Sequence, residues 1–503
     1  MPPISRSLLI SATAVFLASA AHADLTAEDI WNDWRSYTKG FGYLIQGTET
    51  KTDSGLTVTG ATIASQSADG VGRGTIFMDQ VVLTETADGT VTIDLPAIMP
   101  IELSALDDAG KPLRISMDYR QTDLNIVASG TPDALRYTYD AQEITIVTTG
   151  FERDGQPTAN DELNVEIALE DIDGVTNVEG DGIVTYDQNL NAAALRFAVD
   201  VVAPEEQGTA NISGQMQNVS FEGQSALPTE VEKPDDMEEM LEAGFKTEGA
   251  FAYQAYAMTL ATTSPRDSTE MSFISDKGRF GVTLDTAGLD YDISQENVQV
   301  QATSSGIPIP IEFAAARTAF NFAMPIQQTE QFGDFALGLT FDDVSMSDLI
   351  WSLFDPGAQL PRDPATLVLD VTGKTRLLFN FLDPAAAPTL SPGQMPAELQ
   401  SLDVNTLQLQ AAGSELTGDG AFTFENSDFG PPKPMGALNL TLIGGNTLIN
   451  QLVATGLLLE DQAMGVRMMM GLLAVPGDTP DTLKSRIEIN AEGHVLANGQ
   501  RIQ

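Results

Sequence analysis

The residues best placed to do chemistry lie in one stretch, residues 345–370, which reads SMSDLIWSLFDPGAQLPRDPATLVLD. Asp355, Arg362 and Asp363 could form a charged cluster there, because an arginine guanidinium pairs well with carboxylates. No nucleophile with its base accompanies them, so they describe no complete reaction. We therefore interpret the stretch as a structural corner, which Arg362 closes through charged hydrogen bonds with the flanking aspartates.

Nucleophilic and metal-assisted chemistry have little support elsewhere in the chain. His494 is the only histidine beyond residue 22, and it falls in the strand-and-turn segment NAEGHVLANG, where we interpret it as a surface residue. The chain has no cysteine, which excludes disulfides, thiol chemistry and a His/Cys metal cluster. The sequence assigns no catalytic, cofactor-binding or metal-binding residue, and it does not identify ligand-binding residues.

Carboxylates are the remaining candidates for catalysis. The 71 acidic residues offer many pairs of the kind that glycosidases use, and no pair stands out from the others. Residues 170–182, EDIDGVTNVEGDG, have carboxylates near calcium-loop spacing but lack the regular ligand pattern, so we predict a turn there. Catalysis by paired carboxylates therefore stays open as an alternative.

The net charge limits the class of partner. The formal charge of −46 repels nucleic acid and anionic lipid headgroups, so nucleic-acid binding is not expected. Charged residues make up 19% of the chain and apolar residues 42%, which is typical of a globular protein rather than a disordered one. We interpret the acidity as solvation of a large β-surface.

The first residues resemble an export signal. Arg6 precedes an apolar run from Leu8 to Ala18, and Ala21-His22-Ala23 forms an A-x-A cleavage site before Asp24. The run is too short to span a bilayer, and no later run reaches the roughly 18 apolar residues that a span needs. We expect residues 1–23 to be cleaved, leaving a periplasmic protein without a transmembrane segment.

Alternation of apolar and polar residues dominates the rest of the chain. It occurs in VTIDL (91–95), LNVEIALE (163–170), VQVQA (298–302), LQLQAA (407–412) and IEIN (487–490). Period-2 alternation is typical of strands with one face towards a core and one towards water. Gly, Asn and Asp turns follow at hairpin spacing. The sequence predicts a mainly β fold of extended, curved antiparallel sheets with a few short capping helices.

Helices mark the expected domain organisation. Thr26 and Asp29 form a capping box before a helix with Ile30, Trp34, Tyr37 and Phe41 on one face, and a second helix starts near Pro234 with Met237, Met240, Leu241 and Phe245 on one face. We predict two related β-lobes, residues 24–227 and 234–503, joined by a linker at 228–233. A single continuous sheet is the alternative.

Two helical insertions are expected in the second lobe. Near 345–354, Ser345 and Asp348 fit a second capping box. One face of this helix is apolar and should pack against the protein; it comprises Met346, Leu349, Ile350, Leu353 and Phe354. Asp355-Pro356 should end that helix. Residues 446–474 predict two apolar helices broken near 456–461, the second with a methionine cluster. Such a helix is either core or the cover of a groove that suits lipid, and we favour core.

The chain resembles a known family in three places. The corner IWSLFDP…LPRDPATLVLDVTG, the leading helix that ends in GFGYLI, and the closing DTLKSRIEINAEGHVLANGQRI are similar to the exported Gram-negative proteins of the domain of unknown function 2125 family. That resemblance implies location and shared architecture, with no activity or catalytic residues to transfer. The strand-turn-strand units also resemble, less specifically, envelope proteins of AsmA type, which implies long curved sheets associated with lipid handling.

Two functional hypotheses follow. The first is a noncatalytic periplasmic envelope protein that binds a hydrophobic ligand, such as a lipid, or a protein partner on an apolar-faced β-sheet. The second is an acidic hydrolase of envelope glycans that uses paired carboxylates. No cofactor is expected for either hypothesis.

Overall fold

The computed structural model describes residues 25–65, 72–107, 109–158, 162–203, 207–231, 236–382, 396–426 and 432–503. The predicted export signal (1–23), Pro234 and the end of the predicted linker at 232–233 lie outside these ranges. Among the described residues, no helix combines the length and apolarity needed to cross a bilayer.

Five helices and twenty-five strands form the described chain. The helices are α1 (Ala27–Gly40), α2 (Met237–Glu242), α3 (Asp348–Phe354), α4 (Gly445–Ala454) and α5 (Glu460–Leu473). The strands are β1 (Tyr43–Thr52), β2 (Gly55–Ser65), β3 (Arg73–Glu85), β4 (Val91–Asp94), β5 (Ile98–Leu106), β6 (Pro112–Thr122), β7 (Asn125–Thr131), β8 (Ala134–Arg153), β9 (Gln156–Pro157), β10 (Leu163–Glu179), β11 (Ile183–Ala203), β12 (Gly208–Pro228), β13 (Lys246–Thr263), β14 (Ser268–Asp285), β15 (Gly288–Ser304), β16 (Ile307–Met324), β17 (Gly333–Met346), β18 (Ala365–Leu377), β19 (Ala397–Ala411), β20 (Ser414–Glu425), β21 (Lys433–Ile443), β22 (Val475–Pro476), β23 (Thr482–Ile489), β24 (Val495–Ala497) and β25 (Gln500–Arg501).

The strands form one antiparallel sheet in which most strands pair with their sequence neighbours. From β10 to β21 each strand pairs with the next, and β23 follows β21 because the two-residue β22 lies to one side. Tight hairpins join some of these neighbours, whereas α2 lies between β12 and β13 and α3 between β17 and β18. At the β19–β20 turn, for example, Ala412 and Gly413 both have positive φ, as a two-residue turn requires. The predicted mainly β, antiparallel fold is confirmed.

The beginning of the sheet is more complex than the rest. β3 pairs with β5 through its first residues and with β4 through its last. β8 likewise pairs with β6 through its second half and with β7 through its first half. Along one edge, β3 and β8 are therefore each paired with two shorter strands in succession. At this end of the sheet, α1 contacts β1, β2 and β3.

The sheet continues across the predicted linker. β12 pairs with β13 from Thr209–Thr263 to Ala226–Lys246, so the ladder runs from one expected lobe into the other. Pro228, placed in the linker, is the last residue of β12 and pairs with Ile183. The polar connection begins at Thr229. The division into two lobes stays a prediction about folding units, and both expected lobes do begin with a helix.

A transverse line of left-handed residues, here called the seam, crosses the middle of the sheet. It comprises Asp171, Asn218, Ala255, Asn297 and Asp343, with φ between 47° and 60°. Asp and Asn tolerate this conformation better than most residues, whereas Ala255 adopts it at a cost. The alternation shifts by one residue at the seam, so the apolar positions of a strand change between odd and even numbers there.

The main core lies at the beginning of the sheet, between α1, α2 and the strands. In α1, Ile30 and Trp31 are fully buried, and the predicted Thr26–Asp29 capping box is present. In α2, Met240 and Leu241 are buried together with Phe245 beyond its end, as predicted. The strands contribute Leu56, Val58, Val81, Leu83, Val91, Tyr137, Val178, Tyr186 and Leu227. The two helices thus close one end of the sheet.

Trp31 tests the importance of this core. Its ring is buried, and its indole N–H donates to Glu49 Oε1 at 3.1 Å. We predict that Trp31→Ala lowers the free energy of unfolding by about 3–5 kcal/mol, because it leaves a cavity in the core. Exposed Ser36 on the same helix is the control, and Ser36→Ala should change stability by less than about 0.5 kcal/mol. Equal urea midpoints for both variants would contradict this assignment of the core.

Candidate functional site

The strand register gathers apolar side chains on one face of the sheet, the face that α1 covers, here called the inner face. One residue from each of fourteen strands lies directly opposite the next and forms the middle row of this face. The row is Tyr139, Gly174, Leu190, Phe221, Phe251, Phe280, Ile293, Phe320, Leu339, Leu369, Leu407, Gly418, Leu440 and Ser485. Apart from two glycines and the final serine, every side chain is apolar or aromatic.

A second apolar row lies beyond the seam on the same face. It comprises Ile146, Ile167, Phe197, Gly214, Met258, Phe273, Val300, Phe313 and Met346. The two rows lie on the same face because the alternation shifts at the seam. The inner face therefore stays apolar on both sides of the seam along its longest strands.

The opposite, outer face has a different composition. The neighbours of the middle row, one residue along each strand, are mostly polar: Asp140, Asp173, Asn191, Ser220, Ala252, Arg279, Ser294, Ala319, Thr340, Val368, Gln408, Thr417, Thr441 and Lys484. A sheet with one apolar and one polar face is suited to contact water on its polar side only. The inner face consequently needs a cover.

The middle of the inner face keeps large apolar groups in contact with solvent. Phe280, Ile293, Phe320, Leu337 and Phe341 are each 37–40% exposed. They lie on four consecutive strands, β14 to β17, with Phe280, Ile293 and Phe320 in the middle row and Leu337 and Phe341 on either side of it on β17. Contiguous apolar surface of this kind is uncommon on a soluble monomer and marks binding sites.

A small polar cluster interrupts this surface at the seam. The Tyr253 hydroxyl lies 2.9 Å from Ser275 Oγ, and the Gln295 side-chain amide donates to the Tyr253 hydroxyl at 3.0 Å. Ser275 is fully buried. Tyr253 also lies over Gly278, where a Cβ would meet its ring within 2.3 Å, so a glycine is needed there. The three polar groups satisfy one another and hold the Tyr253 ring flat on the sheet.

At one end of the inner face, α1 is fixed by a buried carboxylate. Asp33 accepts a hydrogen bond from the Tyr137 hydroxyl at 2.6 Å and lies 3.5 Å from the Tyr186 hydroxyl. Burial raises the pKa of the Asp33 carboxyl, and the two tyrosine hydroxyls oppose that rise. Burial and the nearby Asp33 charge hold the pKa of both tyrosines well above their usual range. Because the two tyrosine hydroxyls bond to both carboxylate oxygens of Asp33, we conclude that this residue attaches α1 to the sheet.

At the other end, α5 covers a cavity instead of packing tightly. The cavity has a volume of about 600 Å³ and lies between the helix and strands β20, β21 and β23. Its floor is Leu416, Leu440, Leu442, Leu483 and Ile487, and its roof includes Gly465, Val466, Met469, Met470 and Leu473. Our preference for core packing of this helix was wrong, since Ala463 is its one buried residue. The alternative, a helix covering a groove, is the structure observed.

The corner at 345–370 differs from the prediction in its contacts. α3 is present and ends at Asp355, but Ser347 is its N-cap and no capping box forms, because Ser345 remains in β17 and Asp348 pairs with Arg362. Leu353, predicted to pack, is 67% exposed. Ile350, Trp351 and Phe354 are half-buried, and the rings of Trp351 and Phe354 lie 5.0 Å apart.

Buried Asp355 organises the return of the chain after α3. Its carboxylate accepts hydrogen bonds from the backbone N–H groups of Gln359 and Leu360, both at 2.9 Å. Arg362 bonds to Asp348 and lies 5.9 Å from the centre of the Trp351 ring, so its main partner is neither of the flanking aspartates that we predicted. These contacts all serve to close the corner. The structural interpretation therefore fits the observed geometry.

The other residues considered for chemistry are dispersed. His494 lies half-buried in the turn after β23, where its backbone N–H donates to Asn490 Oδ1. Residues 170–179 continue β10, and only 180–182 form the turn predicted there. Carboxylates on the outer face line a hollow of about 400 Å³, including Asp187, Glu222 and Glu248. Within the described ranges, no group of three or more His, Asp or Glu could hold a metal ion.

The corner gives a pH-dependent prediction. The backbone N–H of Gln359 holds the pKa of Asp355 below its ordinary value of 3.8. Desolvation opposes this lowering, and the Leu360 N–H and Arg362 add to it. A lowered carboxyl pKa stabilises the fold above pH 3.8, and the contribution is lost as pH falls through the lowered pKa. We predict that Asp355→Asn lowers the melting temperature at pH 7 and that its difference from wild type shrinks below pH 3.8. Asp363→Asn, at an exposed position, is the control; a difference that does not vary with pH would contradict the assignment.

Exposure of Leu353 gives a second prediction. Leu353→Ala should change the free energy of unfolding by less than about 0.5 kcal/mol, because little apolar area is lost. Leu360, which is buried beside Asp355, is the contrasting position, and Leu360→Ala should cost about 2–5 kcal/mol. Urea unfolding of both variants tests the comparison. A larger loss for Leu353→Ala than for Leu360→Ala would show that α3 packs by its other face.

Comparison with protein-family models and with curated proteins finds no match to this chain. The function therefore has to be inferred from the geometry of the inner face and its two covered ends.

Proposed function

We propose that this chain is a noncatalytic envelope protein of the periplasm that binds a hydrophobic ligand, such as a lipid, on the inner face of its sheet. The single observation that supports this function is the uncovered middle of that face. Aromatic and aliphatic side chains lie in register across β13 to β19 there, with α1 at one end and α5 at the other.

The energetics favour an occupant. Apolar surface removed from water contributes about 25 cal/mol per Å², so a ligand that covers even a few hundred Å² gains several kcal/mol. The sheet is already ordered by its backbone ladder, and binding therefore requires little additional ordering of the protein. The outer face provides solubility independently of the ligand.

The localisation and family parts of the proposal rest on the sequence. The export signal at residues 1–23 supports the periplasm, and the resemblance of the corner to the domain of unknown function 2125 family supports an exported protein. The hydrolase alternative would have to use the outer face, where the diagonal neighbours Glu222 and Glu248 lie on adjacent strands. That surface is open to water, whereas a general acid with a raised pKa needs burial.

Native mass spectrometry of the full chain, purified without detergent, tests the proposal. We predict that a fraction of the protein carries additional mass that organic extraction removes, and that the extract contains a lipid or another hydrophobic compound. Protein without added mass that hydrolyses envelope glycans would contradict the proposal and favour the alternative.

Two exposed isoleucines on opposite faces provide a matched pair of variants. Ile293 is in the middle row of the inner face, and Ile274 is on the outer face with a similar exposure of 45%. We predict that Ile293→Glu reduces the ligand-bound fraction in native mass spectra by about tenfold or more, because the carboxylate would have to be desolvated under the ligand. Ile274→Glu should leave it unchanged. If the two variants retain equal bound fractions, the inner face is not the binding surface.

A further inference from the structure

We infer that the cavity beneath α5 holds the hydrocarbon chain of an uncharged amphiphile. This inference rests on the proposed function and makes it more specific, because it selects one place on the inner face and one class of ligand. The cavity is referred to below as the α5 chamber, defined by α5 as its roof and by β20, β21 and β23 as its floor.

The α4–α5 segment that includes the roof of the chamber is tied down at the start of α4 and at the end of α5. At the start of α4, Asp481 accepts hydrogen bonds from the Asn446 and Thr447 backbone N–H groups and from both side chains, at 2.7–3.0 Å. At the end of α5, the Leu473 carbonyl accepts from Ser485 Oγ at 2.6 Å and from Asn498 Nδ2 at 3.0 Å. These hydrogen bonds fix the position of the α4–α5 segment beside the chamber.

The size and lining of the chamber match a hydrocarbon chain. Its volume of about 600 Å³ lies within the roughly 300–1,000 Å³ of small-molecule sites. Leucine, isoleucine, valine and methionine supply most of the lining, and methionine adapts well to flexible apolar partners. An alkyl chain could enter along the inner face, since Leu440 belongs both to the chamber floor and to the middle row.

The charge distribution selects an uncharged ligand. The lining residues include no Lys, Arg, Asp or Glu, and Gln462 and Ser485 are its polar members. Arg467, the cation of α5, bonds to Asn450 Oδ1 at 2.7 Å and lies 3.6 Å from Glu460. An anionic headgroup would find no unpaired cation on this helix. It would also be repelled by a chain with a net charge of −46. A hydroxyl-bearing headgroup fits these conditions better.

Two glycines of α5 give a test with a matched control. A Cβ added at Gly465 or at Gly471 would have no atom within 4 Å, so both positions have room for a side chain. Gly465 lines the chamber and Gly471 does not. Replacing either glycine should favour the helix. Only Gly465→Phe should place a ring in the chamber.

Binding of 1-monomyristoylglycerol to the full chain, measured by displacement of N-phenyl-1-naphthylamine, tests the inference. We expect Gly465→Phe to raise the half-displacement concentration at least about tenfold and Gly471→Phe to leave it within about twofold of wild type. The anionic lysophosphatidylglycerol with the same acyl chain should bind wild type at least about tenfold more weakly. Equal binding of the anionic lipid would overturn the uncharged class of ligand.

The failures of the two proposals can be told apart. If Gly465→Phe binds like wild type while Ile293→Glu does not, the chamber is wrong and the inner-face function stands. If wild type binds none of the probes and carries no added mass, both fail. Circular dichroism confirms that each variant is folded. Should Gly465→Phe not fold, Val466→Trp replaces it, with Met464→Trp as control, because Val466 lines the chamber and exposed Met464 does not.

Discussion

Strand register is the constraint on which the whole structure depends. Side chains alternate between the two faces of a strand, so a shift of one residue in a single ladder would exchange the inner and outer residues of every strand beyond it. The middle row avoids this across fourteen strands, and its outer neighbours remain polar over the same distance. An apolar inner face can exist only because each hairpin keeps its register.

At the seam, that alternation is interrupted together on several of the described strands. Asp171, Asn218 and Asn297 take left-handed backbone conformations on separate strands, and their neighbours shift parity together. Leu169 and Ile172 consequently lie on the same face, as do Met216 and Val219. The seam therefore shifts the alternation without moving apolar side chains to the water-facing side.

Much of the fold could be predicted from local patterns, whereas the candidate site could not. The strands, the Thr26 capping box and the hairpin at 412–413 depend on residues close together in the sequence. The inner face depends on which residues of distant strands meet, and no local pattern contains that information. The Met-rich α5 shows the same limit, because its apolar sides predict burial, whereas the hydrogen bonds that position the helices join distant residues: Asp481 binds the start of α4, and Ser485 binds the end of α5. The corner failed in detail because Arg362 pairs with Asp348, fourteen residues away, instead of with its sequence neighbours.

The central claim is that the uncovered inner face is occupied by a hydrophobic ligand in the native protein, and photocrosslinking at two consecutive residues tests it most directly. Phe320 belongs to the middle row, and Ala319 lies on the outer face of the same strand. With p-benzoylphenylalanine at each position in turn, illumination of cells followed by mass spectrometry should give a lipid-sized adduct at position 320 and none at position 319. Equal adducts at both positions, or a protein crosslink as the main product at position 320, would contradict the account.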